Sequence, residues 1–134
     1  MLITDAAANL IIDIILDQHP DLDASGIGGV RDPLRSIRNQ ANEFRACLLY
    51  LDTVTILQRF PRCPTTSYGL KHDVERMCDR KLYISNGIMI AAIIYLGMPI
   101  RRDEPNLITT VQSKSRNFPF IGVGKVSAQK NIDG

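Results

Sequence analysis

His72 and Glu75 are the first residues in this chain whose types and spacing suggest chemistry. On a helix, a separation of three puts an imidazole and a carboxylate on one face. The pair is half of a di-metal carboxylate motif, which needs a second copy and two further glutamates on other helices. No second copy occurs. Cys63, His72 and Cys78 offer three zinc-type ligands, but their spacings match no familiar knuckle and a fourth ligand is unclear. The plain alternative is a surface His–Glu pair beside small buried thiols, so no metal and no cofactor are expected. A cysteine nucleophile would need a histidine and an orienting group beside it, and His19 and His72 are the only histidines. G-x-S-x-G, H-E-x-x-H and Walker patterns are absent. A non-enzymatic protein is therefore expected, with a small enzyme or metal protein centred on His72 and Glu75 as an alternative.

The basic residues form a better pattern. Arg35, Arg38, Asn42 and Arg45 recur at spacings of three, four and three, each one position after Leu34, Ile37, Ala41 and Phe44. An arginine stripe thus borders an apolar seam. Such arginines can lie along the edge of a core, pair with carboxylates, or offer a planar fork to phosphate or carboxylate. Lys71, Arg76, Arg101 and Arg102 would add a second basic edge. Tyr68, Lys71, His72, Ser85 and Asn86 stand near the starts of two adjacent helices. Free N–H groups there, with a Lys and a His, make a candidate anion pocket; the alternative is that Ser85 and Asn86 simply cap a helix.

Four helices are expected to position these groups. Thr4 can cap the first, over residues 4–18, in which Asp5, Asn9, Asp13 and Asp17 form one narrow polar stripe. So apolar a helix is expected to be covered on most sides, in the core or in a homodimer. Asp32 and Pro33 are N-cap and first-turn residues for a second helix reaching to about residue 58. Its heptad-like seam is Leu34, Ile37, Ala41, Phe44, Leu48 and Leu51, and its β-branched end, "TVTIL", could be a strand instead. Between these helices, the glycines of "SGIGG" read as a loop that lacks the spacing of a phosphate cradle.

Thr66 or Ser67 caps a third helix over residues 68–80, with Leu70, Val74 and Met77 inward and Lys71, Asp73, Glu75, Arg76 and Asp79 mostly outward. Ser85 or Asn86 caps a fourth, which Gly97 and Pro99 end. The apolar run of the fourth helix, residues 88–98, has 11 residues. A membrane span needs ~20. A buried helix is expected, too greasy to read DNA bases. "NLITTVQ" and "FPFIGVGKV" could pair as two short strands.

These elements predict a mainly α fold, a four-helix single domain over residues 1–118, with room for a short C-terminal β-hairpin. Residues 119–134 are expected to form an extended or disordered tail. The 134 residues suffice for one domain, and three cysteines with no C-x-x-C pair suggest a reducing, cytoplasmic setting. No basic segment precedes the first apolar run, so a signal peptide is not expected. Residues 1–30 hold five aspartates and no Lys or Arg, whereas residues 31–134 hold sixteen basic and nine acidic residues. The two parts either attract each other within the fold, or the basic part meets an anionic partner.

Tyr68, Leu70, Lys71, His72 and Glu75, then Tyr83, Ser85, Asn86, Gly87, Ala91, Ala92 and Gly97, then Pro105 and Asn106, carry a resemblance. Residues 67–106 are similar to short uncharacterised proteins of proteobacteria and their phages or plasmids. Ile93 and Ile94 depart from it, since that group tends to small residues there. The resemblance implies a bacterial or phage cytoplasmic protein and no mechanism. The expected function is a small non-enzymatic binding protein that occupies a macromolecular partner, such as a phage-borne inhibitor of a host complex. The alternative is a nucleic-acid-binding accessory or regulator. The partner, protein or nucleic acid, would meet the basic surface, with no membrane involved.

Overall fold

A computed structural model describes residues 3–112. Along the chain run α1 (Asp5–Gln18), β1 (Leu22–Asp23), β2 (Gly26–Ile27), a 3-10 turn (Pro33–Arg35), α2 (Ala41–Leu51), β3 (Thr55–Ile56) and β4 (Thr65–Thr66). Then follow α3 (Ser67–Met77), α4 (Asn86–Leu96), β5 (Ile100–Asp103), β6 (Asn106–Thr109) and β7 (Val111–Gln112).

The fourth helix is the centre. The Ile88 N–H donates to the Ser85 hydroxyl at 3.1 Å, closing the N-terminus. Gly97, at φ 69°, adopts the left-handed conformation that ends the helix. Every residue from Asn86 to Ile93 is buried. A helix apolar all round needs neighbours all round; α1, α2 and α3 pack on α4, as do the β1–β2 ribbon and β6. Each of α1 and α3 is capped by a threonine, Thr4 accepting from the Ala7 N–H and Thr66 from the Gly69 N–H.

The mainly α expectation is overturned. The four helices are joined by strand that makes up 16% of the described residues, in three small antiparallel sheets, so the fold is mixed α/β. β1 pairs with β2, and β3 with β7. The largest sheet has the order β4-β6-β5, with Thr65 opposite Thr109 and Ile100 opposite Thr109 on its other side. The strand expected over "NLITTVQ" is present as β6 and β7, whereas the two-residue strands are too short to show an alternating pattern, and β4 finds its partner more than forty residues along the chain. Among the described residues, β1–β2 and β5–β6 are hairpins of neighbours. The expected hairpin partner, "FPFIGVGKV", and the expected tail lie outside the described residues.

The second helix also differs. Asp32 caps only the 3-10 turn, accepting from the Leu34 N–H at 2.9 Å. Asn39 then takes a positive φ of 69°, and the helix starts at Ala41. Leu34 is left 93% exposed, while Ile37, Ala41, Phe44 and Leu51 are buried as the seam required. The helix stops at Leu51, and the strand alternative holds for Thr55–Ile56. The first helix is less covered than expected: Ala8, Ile12, Ile15 and Leu16 are buried, but Leu10 and Ile14 face outward. In α3, Lys71 is buried and Met77 exposed, the reverse of the expectation.

The ribbon made by the "SGIGG" segment sits against α4 at its first turn. A Cβ on Gly87 would lie 1.9 Å from the Asp23 carbonyl oxygen. The Gly87→Ala variant should therefore force ribbon and helix apart. It should lose roughly 1–3 kcal/mol in urea denaturation, the usual penalty for overpacking; an unchanged midpoint would mean the ribbon is not seated there.

Candidate functional site

Three separate segments meet at the start of α4. The Asn86 side-chain nitrogen donates to the Ser25 carbonyl at 3.2 Å, the Pro105 carbonyl at 3.3 Å and the Asn106 Oδ1 at 2.8 Å. Its oxygen accepts from the Ser67 hydroxyl at 2.9 Å, and that hydroxyl accepts from the Leu107 N–H at 3.1 Å. The β1–β2 turn, the β5–β6 turn and the start of α3 are thereby drawn to one point. Between them lies an open cleft of about 680 Å³, lined by Ala24, Ser25, Arg35, Tyr68, Lys71, Tyr83, Asn86, Pro105 and Asn106.

Lys71 is the unusual member. Its side chain is only 7% exposed. Its ammonium lies 5.3 Å from the centre of the Tyr68 ring and 5.0 Å from that of Tyr83. Such cation–π contacts are worth ~0.5–2 kcal/mol each. The nearest carboxylate oxygen is Glu75 Oε2 at 3.7 Å, an ion pair too long to be a hydrogen bond. Glu75 is already committed elsewhere. Its Oε2 accepts from the Ile84 N–H at 3.0 Å, and its Oε1 meets His72 Nδ1 at 3.0 Å. Tyr68 packs edge-on against the His72 ring, with centroids 4.6 Å apart. The ammonium, a triple donor, makes no hydrogen bond among the described residues and lies on the cleft wall.

Tyr68, Lys71 and Asn86, three of the five residues of the expected anion pocket, come together in the cleft. His72 stands behind Tyr68 and Glu75, and Ser85 caps α4 while donating to Gln40 Oε1 at 2.9 Å. The arginine stripe is divided between turn, loop and helix. Arg35 lines the cleft, with no carboxylate partner among the described residues. Arg38 pairs with Asp13 at 2.8 Å, and Arg45 with Asp5 and with Asn42 Oδ1. Of the second basic edge, Arg76 pairs with Asp73 and Arg101 lies 4.2 Å over the Phe60 ring. Arg102 bridges Asp21 and Glu104, each at 2.8 Å, and holds the Asp21 carboxyl below its usual range.

No group of three or more His, Cys, Asp or Glu is placed to hold a metal among the described residues. Cys63 is exposed, Cys78 half-buried and Cys47 buried, where burial pushes its thiol far up. No described helix is long and apolar enough to cross a membrane.

Comparison with protein-family models, with curated proteins and with solved structures found no match. The site therefore stands on its own geometry. Tyr83 and Asn106 carried a sequence signal only as part of the resemblance pattern. Ser25 and the role of Glu75 as a bracket for Ile84 had none, because both depend on chain segments brought together from a distance.

Burial would raise the Glu75 pKa. The Ile84 N–H, Lys71 and His72 outweigh it and hold the carboxyl below its ordinary 4.5. A depressed carboxyl stabilises the fold above its unfolded value, and that contribution is lost as pH falls through the folded value. Glu75→Gln should thus be less stable than the parent chain near neutrality. Urea midpoints of the two should converge below about pH 4.5, starting at the carboxyl's ordinary value. A constant gap down to strongly acid pH would remove the ionised carboxylate from this account.

Proposed function

We propose that the protein is a non-enzymatic binding protein, cytoplasmic, that acts by taking an anionic group of a macromolecular partner into this cleft. An inhibitor of a host complex would work in this way. The observation that carries the reading is Lys71, a side chain 7% exposed whose ammonium lies on the cleft wall with no hydrogen-bond acceptor among the described residues. Two tyrosine faces and one long ion pair hold the ammonium at the cleft, where its three donors are open to an incoming oxygen anion. Arg35, on the same cleft and with no carboxylate partner among the described residues, adds a second donor-only group.

The three free cysteines fit the proposed reducing compartment. Four other arginines, Arg38, Arg45, Arg76 and Arg102, already pair with acids of this chain. They are weaker candidates for a partner's anion, although exposed pairs of this type contribute only about 0–1 kcal/mol and can exchange.

Titration of isotope-labelled protein with inorganic phosphate tests the reading. Amide shifts should concentrate at Ser25, Lys71, Tyr83 and Asn106, and should vanish in Lys71→Met and weaken in Arg35→Ala. Arg35 is exposed, so its variant should fold normally and keep the experiment interpretable. Shifts confined to other arginines, or unaffected by both substitutions, would overturn the cleft as the anion site.

A further inference from the structure

We infer that the anionic group is a backbone phosphate of a single-stranded nucleic acid, with one of its unpaired bases stacked on the tyrosines beside Lys71. This rests on the reading of the cleft as an anion site and names its ligand class. Tyr68 is 52% and Tyr83 69% exposed. Both rings approach the one ammonium, at 5.3 and 5.0 Å, so both flank the same opening. A carboxylate from an acidic peptide would use the cations and leave these two flat, apolar faces in water. A nucleotide uses both, because a phosphate accepts from Lys71 and Arg35 while a base covers a ring.

The hydrogen-bonding groups agree. The Asn86 amide is consumed by the frame, on its nitrogen and its oxygen. The Asn106 oxygen is held by Asn86, which leaves the Asn106 amide nitrogen with no partner among the described residues, on the cleft wall. That nitrogen is a donor suited to a base carbonyl or a phosphate oxygen. The cleft, at about 680 Å³, lies within the size range of sites for small organic groups. Single strands are specified by the rings: a duplex keeps its bases stacked on each other, whereas an unpaired base offers its face to an aromatic side chain. No described helix presents a basic face to a groove, since α4 is buried and the arginines of α2 and α3 are paired with acids.

Fluorescence anisotropy with labelled oligothymidylate and oligouridylate of about ten nucleotides, a length within the range bound by small single-strand modules, tests the inference. A duplex of the same length and a polyglutamate of matched charge are the comparison probes. The single strands should bind tightest. Tyr83→Leu and Tyr68→Leu should each weaken them by about 5- to 150-fold, the loss typical of one stacked base. Both tyrosine variants should leave the salt dependence unchanged, and Lys71→Met should reduce its slope by roughly 0.7, one phosphate contact. A preference between the two single strands would show whether the ribose hydroxyl or the thymine methyl matters, and either preference supports the inference. Equal binding of polyglutamate or duplex, or tyrosine variants that bind as the parent does, would overturn the nucleotide while leaving the anion site standing if Lys71→Met still weakens binding and lowers its salt slope. Failure of every probe would overturn both.

Discussion

One side-chain amide holds the described structure together. Asn86 occupies the first position of the central helix, is buried, and uses both ends of its amide to join the β1–β2 turn, the β5–β6 turn and the start of α3. None of these segments is near it in sequence. A buried polar group left without its partner is destabilising by about 1–3 kcal/mol, and loss of this amide would strip partners from Ser67, Asn106 and two carbonyls together. The glycines around it fit the same constraint. Gly87 has no room for a Cβ because the Asp23 carbonyl lies there, and Gly26, at φ +142°, brings its backbone against the Pro105 carbonyl. The cleft exists because these close approaches gather its walls around one point.

Charge is arranged on two levels. The acidic first helix is anchored to the basic body through Arg38–Asp13 and Arg45–Asp5, and Arg31 donates to the carbonyls of Leu16 and His19 at its C-terminal end. The charge asymmetry between the first thirty residues and the rest is thus largely met inside the fold. Lys71 and Arg35 are different. Lys71 is held by two aromatic faces and a carboxylate already shared with His72 and a backbone N–H, and Arg35 has no acid beside it among the described residues. Among the described residues, Lys71 and Arg35 bring their charge to the cleft, while Arg38, Arg45, Arg76 and Arg102, equally available in sequence, pair with acids of the chain.

Where the physics is local, the chain could be read directly. Thr4, Thr66 and Ser85 are N-caps because a hydroxyl three residues before an N–H needs no distant partner, and Gly97 ends α4 because it tolerates a positive φ. The seam at Ile37, Ala41, Phe44 and Leu51 is buried as its spacing indicates, even though the helix around it begins later than Asp32 and Pro33 suggest. That early start is where local signals mislead. A capped proline turn satisfies the same preferences in one turn as in a long helix, and Asn39 decides between them by leaving the helical region. The stripe of arginines lost its common helix for the same reason.

By itself, then, the sequence determined the caps of α1, α3 and α4, the presence of four helices and the burial of the fourth, since these follow from hydrogen bonds within a turn and from the length of an apolar run. It also placed Tyr68, Lys71 and Asn86 in one candidate pocket, because they stand at the starts of consecutive helices. The sequence offered strands in "TVTIL" and "NLITTVQ", but their pairing was decided by tertiary structure alone: strands of two residues carry no period, and Thr65 meets Thr109 from a distant part of the chain. So was the inward turn of Lys71, which helical spacing assigns to the surface. Tyr68 and Glu75 flank Lys71 at helical spacings of three and four within α3, but Tyr83, from the link before α4, closes the other side, and no spacing along the chain reports that it will be there.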